Sequence, residues 1–253
     1  MRPFPREKPV PADGEKAKIL LLETSGAAGW IGTAMGGNLL AQRQLEAGRK
    51  HVRDLVPFIG GLIQESGWAV AELDAIAVGT GPGSYTGLRI GVMTARTLAL
   101  ATGARLLGIS TFTLLANACQ ENLSGKLETV ADAQQDKLYR QVFSWDNGWN
   151  SAGPMEVVSL GPWVESRDPQ IPIAGPGVDK IPSPARLALK VTAAEIHLCV
   201  MARLALHKLF HSPPDDPMTL QPHYLRRSSA EELWDQREKK NLEITSRHNR
   251  GSQ

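Results

Sequence analysis

The chain has 253 residues, of which 28 are Lys or Arg and 26 are Asp or Glu. This length allows one or two domains with a substantial hydrophobic core. The nearly balanced charge argues against a broadly cationic surface for gripping nucleic-acid phosphates. The two cysteines, Cys119 and Cys199, are far apart, which excludes a disulfide framework and a Cys-x-x-Cys metal or redox pair. No apolar run reaches the roughly 20 residues that span a bilayer, so we expect a soluble, cytoplasmic protein.

The first folded elements predict a strand meander. Residues 1–17 are rich in proline and charge and predict a flexible N-terminal extension without the apolar core of a signal peptide. Residues 19–22 form a short apolar run that ends at Glu23, as expected of a buried strand with a polar exit loop. Two more strands are predicted at 30–35 and 39–45, joined by a Gly-Gly-Asn turn. We therefore expect three antiparallel strands in succession.

Helices and strands alternate through the rest of the chain. The predicted elements of the first half are a helix at 52–65, a strand at 73–79, a helix at 86–102, a strand at 105–109 and a helix at 111–121. Patterns are weaker in the second half, which predicts strands at 127–132, 137–145, 155–160 and 171–174 and a helix at 193–211. The similar element order of the two halves is compatible with an ancient duplication.

A glycine-rich turn between a strand and a helix is the most unusual stretch of the sequence. Residues 79–91 read Gly-Thr-Gly-Pro-Gly-Ser-Tyr-Thr-Gly-Leu-Arg-Ile-Gly. Exposed backbone N–H groups and a helix N-terminus form a natural anion cradle. The run lacks the Lys-Ser/Thr of a P-loop and the third glycine of a dinucleotide-binding turn. A tight turn made by Pro82 and Gly83 explains the same residues equally well, so both interpretations stay open.

The helix that follows carries a strip of small residues. Gly87, Gly91 and Ala95 recur every four residues and leave one helix face nearly bare. Each glycine costs about 1 kcal/mol of helix propensity relative to alanine, so close packing should compensate for it. The packing partner is either the protein's own sheet or a helix of another chain.

These residues resemble a known family. The run from Gly81 to Gly91, together with Leu22-Glu23-Thr24-Ser25, Lys50-His51 and Leu107-Gly108-Ile109-Ser110-Thr111, is similar to the TsaB (YeaZ) family of bacterial tRNA threonylcarbamoyladenosine biosynthesis proteins. The resemblance covers residues 18–115, with weaker echoes at 130–133 and 222–226. The family often has Asp where this chain has Glu23, and Phe where it has Tyr85.

The resemblance implies an α/β, two-lobed actin-like ATPase (ribonuclease H-like) fold, in which mixed sheets carry flanking helices. It places the N-terminal lobe at 18–111, the C-terminal lobe at 112–227 and a polar tail at 228–253. It implies a non-catalytic scaffold subunit that binds and activates a TsaD-like threonylcarbamoyltransferase in tRNA modification. Further implied partners are a TsaE-like ATPase, a second copy when the chain is alone, and tRNA only indirectly. No cofactor is certain, and ATP or ADP at the partner interface is the one that the resemblance allows.

The resemblance also suggests two groups of site residues. A nucleotide or anion site would comprise Glu23, Thr24, Ser25, Gly81, Gly83, Ser84, Tyr85 and Thr86. A partner interface on the first-lobe helices would comprise His51, Leu55, Ile59, Gly87, Arg89, Gly91 and Ala95.

Catalytic relatives hold a metal with two histidines four residues apart on the first long helix. Here His51 is followed by Leu55 at that spacing, so no metal and no catalytic residue are predicted. His207 and His211 are the one pair with His-x-x-x-His spacing, and a structural role is favoured for them. The alternative functions are a free-standing actin-like phosphotransferase and an M22-type metallopeptidase. Direct RNA binding by a basic tail is less favoured, because acidic residues are interspersed with the basic ones.

Overall fold

Two mixed β-sheets with helices packed on them form the structure, a computed structural model that describes residues 5–46, 50–119, 125–192 and 194–225. The side chains of residues 50–52 are not described. The described residues up to His223 belong to one compact unit, and Tyr224 begins a second. Among the described residues, no helix is both long and apolar enough to cross a bilayer.

The first sheet, sheet A, has the strand order β3-β2-β1-β4-β5. Its strands are β1 (Lys18–Glu23), β2 (Gly29–Met35), β3 (Asn38–Leu45), β4 (Ala75–Gly79) and β5 (Arg105–Ile109). Strands β1, β2 and β3 pair antiparallel, which confirms the predicted meander, while β4 and β5 run parallel to β1.

Helices cover both faces of sheet A. One face carries α1 (Lys50–Glu65) and α2 (Tyr85–Thr102), whose residues share a core with Leu20 and Leu22. The other carries α3 (Thr111–Ala118) and α6 (Leu198–His211), which share a core with Ile19 and Leu21. Because β1 is buried on both faces, its sequence is a continuous apolar run rather than an alternating one.

The second sheet, sheet B, has the order β11-β10-β6-β7-β8, with β9 pairing β7. Its strands are β6 (Lys126–Asp132), β7 (Lys137–Trp145), β8 (Trp149–Ser151), β9 (Glu156–Ser159), β10 (Ile173–Ala174) and β11 (Val191–Thr192). Two short helices, α4 (Leu160–Ser166) and α5 (Ser183–Leu187), complete this half. Residues of α3 also pack against β6, so this helix contributes side chains to the cores of both sheets.

The two sheets repeat one topology. In each, the first strand pairs antiparallel with the second and parallel with a later strand, and strand orders match position by position. Gly-Pro-Gly follows the later strand in both halves, at residues 81–83 and 175–177. A Cβ at Gly83 would lie 2.3 Å from the Ser25 carbonyl oxygen, and one at Gly177 would lie 2.7 Å from the Ala131 nitrogen. In both halves a glycine turn therefore packs closely against the end of the central strand, which supports the duplication.

The N-terminal segment is attached to sheet A. The Lys8 backbone N–H donates to the Gly103 carbonyl at 2.8 Å, and the Lys8 ammonium donates to the Leu73 carbonyl at 2.6 Å. Glu7 pairs with Arg105 at 3.3 Å. These contacts involve backbone groups and charges, which leave no hydrophobic period in the sequence. The flexibility of the N-terminal extension stays a prediction.

The boundaries of the two lobes at 18–111 and 112–227 stay a prediction. Helix α6, which that division assigns to the second lobe, packs on sheet A. It begins at Leu198 rather than at residue 193. The predicted polar tail at 228–253 lies outside the described residues.

Candidate functional site

The end of β1, the glycine loop (residues 79–84) and the first turn of α2 meet at one edge of sheet A. The Ser84 hydroxyl caps α2 by accepting from the Gly87 N–H at 3.2 Å. The Ser84 N–H donates to the Ser25 carbonyl at 2.7 Å, and the Thr24 hydroxyl donates to the Gly87 carbonyl at 2.8 Å. Hydrogen bonds therefore join the loop after β1 directly to the start of α2. These contacts bring the predicted site residues of the two segments together.

The bare strip of α2 faces this exit loop. A Cβ at Gly87 would lie 2.1 Å from the Thr24 carbonyl oxygen, and one at Gly91 would lie 2.2 Å from the Thr24 hydroxyl oxygen. Gly91 and Ala95 are buried. The strip packs on its own chain, so the interpretation of Gly87, Gly91 and Ala95 as a surface for another chain is corrected. Close approach of Thr24 is the physical reason for the glycines.

Two further predicted interface residues also lie in the core. Leu55 is 1% exposed and Ile59 is 4% exposed, and both belong to the core between α1 and sheet A. They are therefore unavailable to a partner. Arg89 is exposed on α2. The His51 side chain lies outside the described residues.

The outer faces of α1 and α2 carry other apolar side chains. Val56 of α1 is 64% exposed and Met93 of α2 is 49% exposed. A Cβ at Gly60 or Gly61 would meet no atom within 4 Å, so this part of α1 is open. The predicted partner interface lay on these two helices but did not include Val56 or Met93. A signal was present, since Val56 widens the apolar stripe of α1 beyond what one sheet face can cover.

Glu23 is completely enclosed at the end of β1. Its carboxyl group accepts from the Ser25 N–H at 2.7 Å and from the Thr111 hydroxyl at 3.1 Å. A Cβ at Gly79 would lie 2.1 Å from the same carboxyl group, so only glycine fits beneath it. Burial raises the pKa of Glu23 above its ordinary value of 4.5. The carboxyl group joins β1 to α3 and has no open path to a ligand, since its residue is 1% exposed.

The glycine loop uses several of its polar groups internally. The Gly81 carbonyl accepts from the Thr111 N–H at 2.8 Å, and Thr80 donates its N–H to the Ile109 carbonyl at 2.8 Å. Ser84, Tyr85 and Thr86 are exposed at the mouth of the loop. Of the two interpretations of the loop, this geometry favours a tight, internally bonded turn. Nucleotide or anion binding by these residues stays a prediction.

Within the described ranges, no group of three or more His, Cys, Asp or Glu residues could hold a metal ion. His207 and His211 lie on the exposed last turns of α6, with their rings stacked 4.4 Å apart. Their side chains lie on the exposed side of α6, whose buried side packs on sheet A.

The raised pKa of Glu23 predicts a pH dependence of stability. The unfolded chain ionises this group near pH 4.5, whereas the folded chain resists ionisation. The contribution of Glu23 to stability is therefore fullest below that pH and is lost as the pH rises through the folded pKa. Glu23→Gln keeps an acceptor for Ser25 and removes the ionisation. We expect the stability of E23Q relative to the unaltered chain to increase with pH, by about 1.4 kcal/mol per unit of pKa elevation.

Urea unfolding between pH 4 and pH 8 measures this difference. Glu165→Gln, a change at an exposed glutamate of α4, serves as the matched control and should give a constant difference. A pH-independent difference for Glu23→Gln would contradict the assignment.

Comparison of the sequence with known proteins gives a family match and several relatives. Residues 44–153 match the model of the family described as TsaD, tRNA N6-adenosine threonylcarbamoyltransferase. The tRNA threonylcarbamoyladenosine biosynthesis protein TsaB of Escherichia coli is 30% identical over 48% of this chain and 53% of its own length. TsaB of Bacillus subtilis is 30% identical over 58% of this chain and 64% of its own length. The chain thus spans less than two thirds of each of these relatives.

A solved structure extends the match to most of the chain. YeaZ from Pseudomonas aeruginosa is 25% identical, with a TM-score of 0.67, over 83% of this chain and 100% of that chain. The two mixed sheets and their flanking helices define an actin-like ATPase fold, as predicted. Within that class, the chain is similar to the TsaB (YeaZ) proteins, which confirms the resemblance seen in the sequence.

Proposed function

We propose that the chain is an accessory, non-catalytic subunit of tRNA threonylcarbamoyladenosine synthesis, and that it binds and activates a TsaD-like threonylcarbamoyltransferase. The proposal rests on the similarity to proteins named for this biosynthesis. The observation that carries the binding role is the exposed apolar face of α1 and α2. A TsaE-like ATPase and the tRNA substrate join the same assembly in this proposal, which acts in the cytoplasm.

The geometry of sheet A supports this choice of surface. Helices α1 and α2 lie on the same face of the sheet, so their outer sides face the same way. Val56 and Met93 lie on it at 64% and 49% exposure, and Tyr85 is 36% exposed at the start of α2. Exposed apolar side chains mark interaction sites where they form a patch, and methionine adapts well to a partner's shape.

A non-catalytic role is supported by the residues that stand where catalytic relatives have their metal-binding side chains. Leu55 stands at the second histidine position and is buried in the core. Glu23, at the acidic position of actin-like ATPases, is enclosed by Ser25, Thr111 and Gly79. These features support a scaffold over a free-standing phosphotransferase or metallopeptidase.

The test is co-purification of this chain with its TsaD-like partner. Val56→Asp and Met93→Asp each place a charge on the exposed face without disturbing the core. Because a few central residues carry most of an interface's binding energy, we expect each change to weaken the complex at least about tenfold. Threonylcarbamoyladenosine formation from ATP, threonine, bicarbonate and tRNA should fall in parallel.

Leu187→Asp is the matched control, because Leu187 is 84% exposed on α5, beside sheet B. It should leave both the complex and product formation unchanged. Equal binding by all three variants would refute the assigned surface. Product formation that does not require this chain would refute the accessory role, and product formed by this chain alone would refute the non-catalytic one.

A further inference from the structure

The last turns of α6 carry two exposed histidines that the proposed function does not use. His207 and His211 lie four residues apart, so they share one helix face. Their rings are 4.4 Å apart between centroids and within 16° of parallel. The buried side of the helix, which includes Ala205 and Leu209, fixes α6 on sheet A. The two imidazoles are therefore held on a rigid support.

The hydrogen bond of His211 defines which nitrogen can bind a ligand. Its Nδ1 lies 2.9 Å from the His207 carbonyl oxygen. A carbonyl only accepts, so Nδ1 carries a proton, and in the neutral ring the lone pair is on Nε2. Such a bond from the second ring nitrogen is what orients histidines that bind metals.

We propose that His207 and His211 form a two-histidine binding site for a late first-row divalent cation such as Zn²⁺, Ni²⁺ or Cu²⁺. Imidazole nitrogen suits these ions, whereas Mg²⁺ and Ca²⁺ prefer oxygen ligands. Two nitrogens at about 2.0–2.1 Å from a tetrahedral metal are about 3.3 Å apart. An imidazole lone pair lies in the plane of its ring, so the two exposed rings must turn out of their stacked arrangement before both nitrogens face one ion. The remaining positions are filled by water, since two side chains supply only half of a four-coordinate shell.

The carbonyl groups at the helix end favour a cation at this site, whereas exposed Arg203, one turn before His207 on the same helix face, opposes one. The last carbonyl groups of a helix carry partial negative charge, and His211 is the last residue of α6. Lys208 belongs to the same turn, but its ammonium is held by Asp215 at 2.8 Å and by the Gly108 carbonyl at 2.7 Å. Its charge is thereby balanced by a carboxylate and kept on the side of β5.

The site is tested by calorimetric titration of the full chain, without an affinity tag, with ZnCl₂ and with NiCl₂. Cys199 is exposed on the same helix and also binds these ions, so every variant carries Cys199→Ser. We expect one site per chain, and a loss of affinity of about tenfold or more in both His207→Ala and His211→Ala. Removal of a residue that merely orients a ligand already costs about 10- to 100-fold.

His197→Ala provides the matched control, because His197 is an exposed histidine at the opposite end of α6. It should bind as tightly as the parent. A second measurement is the melting temperature, which Zn²⁺ should raise in the parent and in His197→Ala only. Unchanged affinity in His207→Ala or in His211→Ala would overturn the proposal, as would an equal response to MgCl₂.

Discussion

Gly87→Ala is expected to destabilise the fold by about 3 kcal/mol, although alanine is the better helix former. The added Cβ would lie 2.1 Å from the Thr24 carbonyl oxygen. That atom belongs to the backbone and cannot rotate away. The exit of β1 must therefore shift, which weakens the bonds that join Thr24 and Ser25 to the first turn of α2. Chemical unfolding of the isolated chain measures the loss.

Gly60→Ala makes the same chemical change in α1, where no atom lies within 4 Å of the added Cβ. It should stabilise the chain by about 0.5–1 kcal/mol, because only helix propensity changes. Opposite signs for the two substitutions would show that Gly87 is retained for close packing within the chain. A stabilised Gly87→Ala variant would restore the interpretation of the strip as an open surface.

The elements of sheet A could be predicted from sequence because their patterns are long and regular. The antiparallel strands alternate or form apolar runs, and α1 and α2 each span at least four turns. In sheet B, β10 and β11 have two residues each, and β8 has three. A pattern of period two cannot be recognised in so few residues. Helices α4 and α5, of seven and five residues, were not predicted either.

The spacing of residues along a helix identified the small residues of the candidate site, but it could not show which part of the structure packs against them. The spacing of Gly87 and Gly91 correctly indicated a close approach. The approaching group is Thr24, 63 residues from Gly87, and nothing local in the sequence indicates that contact. Likewise, the apolar character of Val56 was visible in the sequence, but its exposure depends on which other elements pack on α1. Long-range packing therefore decides which face of a helix remains free.

A buried ion pair in sheet B predicts the second large effect on stability. The Glu128 side chain is 4% exposed and that of Arg167 is 3% exposed. The two lie 3.2 Å apart, and the same carboxylate accepts from Arg140 and, at 3.1 Å, from the Trp163 indole N–H. The Glu128 carboxylate on β6 thus accepts hydrogen bonds from side chains of β7 and α4. Its charge is the nearest counter-charge to the buried Arg167 guanidinium.

Glu128→Gln should lower the free energy of unfolding by about 3–5 kcal/mol, because it leaves the Arg167 charge buried without its carboxylate partner. The glutamine amide also turns a donor toward Arg167 or Trp163. Glu156→Gln is the matched control, since Glu156 contacts Arg140 at 3.1 Å but its side chain is 47% exposed. Its cost should stay below about 1 kcal/mol. Urea unfolding at low and high salt separates the two, because only the exposed pair is screened by added salt. Similar losses in both variants would show that Glu128 contributes no more than a surface charge does.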